Sequence, residues 1–571
     1  MQHARALRRS VLLALSLLSA CAASDIGPDD ARVSARTGAP GASGAFLTGR
    51  FAALQQDMGH ATDDFLFALK TDPDNPELQQ QAFLSTLLTG RADAVRLART
   101  QANNPAAQLL LADTDAREGR WASAEVRYSA LPRQGLTQVL QPLLVAWAQQ
   151  GQGHTDAALA TLRPFVEGNR LRALYSLHAA MIADLGLRVT DAARLYRIAQ
   201  IEFGGMNLEL ARTLASWQAR QGHAAEAAQT LQSLTESSDE LAIAGPAVAA
   251  DAANRQIRKA TDGIAEAYLS LAAALRAQDA GDFAIVLLRL ALDMRPDLTA
   301  ARLLMADVVD GGKRPEVALA VLRPVAPDDP LVGVVRLRRA ALTERTGQTE
   351  DALRMLDQTA RDYPARPEPL AMQGDILRSK RRFPDAVEAY NVAIARVPHP
   401  GRNTWPLFYD RAIALERAHQ WTRAEADFNR ALELSPEQPY VLNYLGYSWT
   451  EQNRNLPKAR QMIERAVELR PNDGSILDSL GWVTLRQGDV KGAIRSLEHA
   501  VELQSEDATV NGHLGDAYWA AGRKLEAQFQ WRRALNLKPD QDDVPKLEAK
   551  LRESEQALGA PAPATAQRVT P

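Results

Sequence analysis

Cysteine is almost missing from this chain: its 571 residues contain one, Cys21. That excludes a disulfide framework and any zinc site built on several thiolates. Aromatic residues are also scarce, at 6%, although hydrophobic residues reach 46%. Much of the apolar content is therefore Ala and Leu, which favour helix, and β-branched or aromatic strand-like runs are hard to find. Neither sign of charge dominates. The formal net charge is −3, and the interleaved acidic and basic residues read as solvated helix faces. No basic surface is available to release counterions, so nucleic acid is not an expected partner. Beyond the first twenty residues no apolar run is long enough to cross a bilayer.

Chemistry-bearing motifs are lacking too. There is no G-x-x-x-x-G-K-[ST] phosphate cradle, no G-x-G-x-x-G after a strand, no H-E-x-x-H and no G-x-S-x-G elbow. The nine histidines are scattered. No catalytic residue, metal ligand or cofactor site is expected, and the chain reads as a non-enzyme.

What is present begins at the N-terminus. Arg5, Arg8 and Arg9 precede an apolar stretch, Val11 to Leu18, of signal-peptide length. The stretch ends in Leu18-Ser19-Ala20-Cys21, which matches the bacterial lipobox, where the cysteine becomes the acylated first residue. Several acyl chains make a durable membrane anchor where one is marginal. Residues 1–20 are thus expected to be a lipoprotein signal peptide and 21–45, rich in Ala, Gly and Ser, a lipidated flexible tether. By enteric sorting rules Ala22 after the cysteine favours the outer membrane, facing the periplasm.

The rest of the chain repeats itself. Ala recurs at 284, 318, 352, 386, 424, 459, 493 and 527, at intervals of 34, 34, 34, 38, 35, 34 and 34. Twelve residues after most of these stands Pro: 296, 330, 364, 398, 436, 471 and 539, with Ser505 the exception. Some twelve residues before stands a small residue, such as Gly374, Ala412, Gly446, Gly481 and Gly515. A bulky one follows four later, such as Tyr390, Phe428, Ile463, Leu497 and Trp531. Small residues let two helices cross closely. The bulky residue is expected to fill the space between neighbouring repeats, Pro to stop the second helix, and Gly347, Gly488 and Gly522 to permit the tight turns. Weaker copies reach toward the N-terminus, as at Ala192, Tyr196 and Ala199.

This pattern resembles the tetratricopeptide repeat family, best in Leu514-Gly515, Tyr518, Ala527, Trp531, Ala534 and Pro539. The resemblance implies an all-α fold, an α-solenoid of helix-turn-helix repeats forming a right-handed superhelix with a concave binding face. Two arrays are expected, 46–240 and 264–542. An irregular joint at 241–263 separates them, and a closing helix at 543–558 and a disordered tail at 559–571 follow.

In this family the first helix of each pair lines the concave face. The richest such run holds Tyr440, Asn443, Tyr447, Asp478, Trp482, Asp516 and Trp519, a mixture of aromatic anchors and polar groups suited to a protein partner. The pattern departs from the Lys/Asn carboxylate clamp of some members, because Asn443, Tyr447, Asp478 and Trp482 occupy the matching places. The words Pro439-Tyr440-Val441-Leu442-Asn443-Tyr444-Leu445-Gly446-Tyr447, Asp478-Ser479-Leu480-Gly481-Trp482 and His513-Leu514-Gly515-Asp516-Ala517-Tyr518-Trp519 are similar to large tetratricopeptide lipoproteins of Gram-negative bacteria. One type in that group binds and activates a periplasmic carboxy-terminal processing protease and brings it cell-wall hydrolases. The resemblance therefore implies an envelope adaptor with those partners. The alternative is a scaffold for outer-membrane, polysaccharide-export or cell-wall machinery.

Overall fold

The computed structural model describes residues 41–55, 57–168, 171–278 and 280–558. Cys21, the stretch expected to be a signal peptide and the tail after Leu558 lie outside the described residues, as does nearly all of the expected tether. Among the described residues the regular structure is α-helix, apart from one 3-10 turn at Arg402–Thr404. Fourteen helix pairs follow one another, with two short helices, Asp239–Ala242 and Gly245–Asp251, between the sixth and seventh pairs and Val544–Leu558 at the end. The first of the described helices, Ala42–Leu54, starts inside the stretch expected to be tether. The chain divides into two compact units, 1–363 and 364–571.

Local sequence explains the helix boundaries. Asn75 and Asn104 cap helices that begin with Pro, their side-chain oxygens accepting backbone N–H groups that would otherwise be orphaned. Asp473 and Asp507 do the same for the first helices of the last two pairs. The turn within a pair requires one residue in the left-handed region. Gly488 supplies it at φ 89° without strain, whereas His419 adopts φ 60° with a side chain attached. The prolines fall where the spacing places them: Pro471, for example, follows the helix Leu456–Leu469.

The small and bulky residues of the repeat meet as a pair. A Cβ added at Gly374 would stand 2.5 Å from Tyr390, at Gly446 2.8 Å from Ile463, at Gly481 2.4 Å from Leu497, and at Gly515 2.5 Å from Trp531. The bulky residue thus fills the space within its own helix pair, against the glycine of the first helix. This corrects the expectation that it fills the gap between repeats, although Phe428 also reaches Tyr444 of the next pair, with ring centroids 5.3 Å apart. A wide side chain and a missing one are complementary, and the crossing is close because of both.

The first unit departs from a stack in which each repeat touches only its neighbours. The pair Ala260–Arg276 and Gly281–Met294 packs back onto much earlier helices. Tyr268 donates its hydroxyl to Asp113 at 2.9 Å, Arg117 pairs with Asp293 at 2.8 Å, and Arg289 donates to the Leu88 carbonyl at 2.6 Å. Gly263 lies against the fully buried Trp147, where a Cβ would stand 2.2 Å from the indole. Residues 241–263, expected to form a joint, are part of this unit: Ile243 and Ala244 are buried, and just before them Glu240 holds Arg338 at 2.5 Å. Asp113 is buried with the hydroxyls of Tyr128 and Tyr268 on its carboxyl, and burial pushes its pKa up to about 7.

Candidate functional site

The residues singled out as a binding face sit on three successive first helices of the second unit, Pro439–Glu451, Gly474–Arg486 and Ala508–Ala520. Glycines at 446, 481 and 515 fix one side of each helix against its partner. Tyr447, Trp482 and Asp516, each next to a glycine, therefore occupy matching places in successive repeats.

Tyr447, Asp478 and Trp482 come together around a residue that the sequence reading did not single out, His513. Its Nδ1 lies 2.9 Å from the Asp478 carboxylate, and its ring stacks on Trp482 with centroids 4.2 Å apart and planes 16° from parallel. The Tyr447 ring stands 6.3 Å away. Burial pulls the pKa of His513 down, but the Asp478 carboxylate beside it, with Asp516 and Glu451 further off, more than offsets this, so the net direction is up. The Trp482 Nε1 donates to Glu451 at 2.6 Å, and the Arg486 guanidinium lies 5.8 Å from the Trp482 ring centre. A signal for His513 was available: it stands 35 residues after Asp478, one repeat and one residue on.

The other four residues make their contacts elsewhere, although the Asp516 carboxylate is within electrostatic reach of His513. Asp516 accepts from the Trp531 Nε1 at 2.9 Å and pairs with Lys550 at 2.7 Å, which ties the closing helix to the stack. Trp519 lies 5.6 Å from Trp531 and has the Lys524 ammonium 5.4 Å from its ring centre. Tyr440 is 41% exposed, with the Arg470 guanidinium 5.8 Å from its ring centre. Asn443 is half-buried, and its Oδ1 has no hydrogen-bond partner among the described residues.

The arrangement suits recognition. Aromatic rings, carboxylates and guanidinium groups are held by mutual contacts, so little side-chain freedom is lost on binding. Among the described residues no group of His, Cys, Asp or Glu could hold a metal ion, and no helix is long and apolar enough to cross a membrane.

Helix pairs of about 34 residues with this glycine and proline grammar define an α-helical repeat array. Residues 337–399, 409–474 and 479–541 match the tetratricopeptide repeat family model, so the chain carries tetratricopeptide repeats. Over 182 residues, 32% of this chain, it is 27% identical to a TPR repeat-containing protein of Pseudomonas aeruginosa. The matched stretch spans 30% of that relative's own length. Among solved structures the chain is similar to the Cut9–Hcn1 hetero-tetramer of the APC/C, at 16% identity and a TM-score of 0.38, covering 89% of this chain and 95% of that one. It is likewise similar to yeast Tom70, at 13% identity and a TM-score of 0.34, covering 91% and 96%. A tetratricopeptide repeat protein of Parabacteroides merdae matches at 13% identity and a TM-score of 0.33, covering 51% of this chain and 98% of that one.

Proposed function

We propose that this protein is a non-catalytic adaptor of a Gram-negative cell envelope, anchored through acylated Cys21 to the outer membrane and facing the periplasm. Its repeats hold a periplasmic carboxy-terminal processing protease, activate it and present cell-wall hydrolases to it. The coarse part of this reading, a protein-binding scaffold, rests on the tetratricopeptide repeats themselves. The observation that carries the finer part is the conjunction in one chain of two features. One is the N-terminal run ending in Leu18-Ser19-Ala20-Cys21; the other is the repeat words from Pro439 to Trp519.

The experiment is stimulation of the cognate protease by purified mature protein, with a wall hydrolase as substrate. Faster cleavage with the full chain than without it supports the reading. Neither binding nor stimulation, with export or assembly proteins captured instead, moves the protein to the class of envelope-assembly scaffolds. The anchor has its own test. Cys21→Ala is expected to give an uncleaved or soluble species, and a cleaved variant that stays firmly on membranes contradicts acylation.

A further inference from the structure

The segment joining the last helix pair to the closing helix is Pro539-Asp540-Gln541-Asp542-Asp543. Within the second unit it reaches back far along the chain. Asp542 pairs with Arg381 at 2.6 Å, across 161 residues. Asp540 lies within electrostatic reach of Arg417, and Asp543 within reach of Tyr447. The segment therefore lies beside the C-terminal ends of three successive first helices: Glu368–Ser379, which Arg381 follows by two residues, Trp405–Arg417 and Pro439–Glu451.

Helix C-termini carry exposed carbonyls and a partial negative charge, which repels carboxylates. Basic side chains on the same edge offset that repulsion. Arg378 and Arg417 occupy last turns of first helices, where they also pair with Asp410 at 3.2 Å and Glu416 at 3.6 Å, and Arg381 stands on the turn beyond one, where it takes Asp542. The contact is also easily broken. The Arg381 and Asp542 side chains are 52% and 68% exposed, and ion pairs that open to water contribute little stability. The segment's own ties are those of a helix start: the Asp540 carbonyl accepts from the Asp543 and Val544 N–H groups at 2.9 and 3.3 Å, the Asp543 carbonyl from the Leu547 N–H at 3.0 Å, and the Asp543 carboxylate pairs with Lys546. A charge-matched, weakly held internal occupant marks a surface that a stronger occupant of the same chemistry would take over.

We propose that this basic edge is a docking surface for an acidic, extended segment of a protein partner, and that Asp540–Asp543 of the same chain holds the place until that segment arrives. The proposal rests on the protein-binding reading of the second unit and not on the identity of the partner.

The test uses the full mature chain and a fluorescein-labelled hexaglutamate peptide, followed by anisotropy at low and at near-physiological salt. The variant D540N/D542N/D543N empties the edge of its own charge without touching a buried residue. It is expected to bind the peptide about fourfold more tightly than wild type, since the two charge contacts with the edge, Asp542 with Arg381 and Asp540 with Arg417, each contribute about a factor of two. Adding R381A/R417A is expected to remove the gain, and higher salt to weaken binding. Circular dichroism of every variant shows whether it is folded. Equal binding by wild type and the neutralised variant overturns the proposal, and so does a gain that survives loss of both arginines. Failure of this test leaves the scaffold reading intact if native partners still co-purify. Success without any co-purifying partner supports the basic edge and removes the scaffold.

Discussion

Replacing Gly515 by Ala places a methyl group where none fits. Its Cβ would stand 2.5 Å from both Cδ1 and Nε1 of Trp531. The indole has nowhere to move, being 2% exposed and bonded through Nε1 to Asp516 at 2.9 Å. Overpacking of this kind costs about 1–3 kcal/mol, whereas Ala for Gly inside a helix returns up to about 1 kcal/mol. The net loss is about 1 kcal/mol, nearer 2 if the Asp516 bond breaks. The clash belongs to the pair and not to the position, because the buried pair Ala340 and Leu356 fills the same places in an earlier repeat. Trp531→Leu alone empties space and should cost roughly 2–4 kcal/mol. In the G515A/W531L double variant part of that loss should return, giving a coupling of about 1 kcal/mol. Stability in a repeat array is local, so the assay is amide hydrogen exchange of residues 508–536 in the full chain. A loss of 1 kcal/mol appears there as about fivefold faster exchange. Unchanged or slower exchange in G515A would refute the reasoning, as would strictly additive losses in the double variant.

Other predictions follow from the same geometry. His513 has a folded pKa above its ordinary 6.5, so the stability it contributes is fully present below pH 6.5 and lost as pH rises through its folded value. Exchange of residues 508–520, corrected for intrinsic rate, should therefore quicken above that pH in wild type and lose this dependence in D478N; the same profile in both contradicts the pairing. His419→Gly relieves a left-handed residue that carries a side chain and should stabilise its repeat by roughly 1 kcal/mol, read as a higher urea midpoint. A lower midpoint would show that the side chain matters more than the strain. Tyr268→Phe removes one of two hydroxyls from the buried Asp113 and should cost about 1–3 kcal/mol. Exchange should then rise together in 105–117 and 260–276, and a rise confined to 260–276 would contradict the back-packing of this pair.

The repeat was legible in the sequence because its physical constraints are short-range. Gly481 and Leu497, sixteen residues apart, must be complementary wherever the pair occurs, and Pro471 stops a helix by its own covalent structure. The return of 260–294 onto earlier helices was not legible. Tyr268 and Gly263 are ordinary repeat residues, and what distinguishes them is contact with Asp113 and Trp147, more than a hundred residues away. The candidate site was legible in part. Aromatic and carboxylate residues beside the glycines were visible, but His513 was passed over because its role comes from stacking on a neighbouring repeat, which spacing alone expresses weakly. The same packing shows that Asp478, chosen as a surface group, is buried against His513. The reach of Asp542 to Arg381 depends on how far the five pairs of the second unit wind back, and no local pattern encodes that.

The central claim is that this chain works by holding other proteins. Its most direct test is a native pull-down of the mature, detergent-solubilised protein from its own cells, with captured proteins identified by mass spectrometry. The account predicts a carboxy-terminal processing protease together with cell-wall hydrolases. Capture of no protein above background would contradict the account at its root, and capture of export or assembly components alone would contradict the adaptor reading.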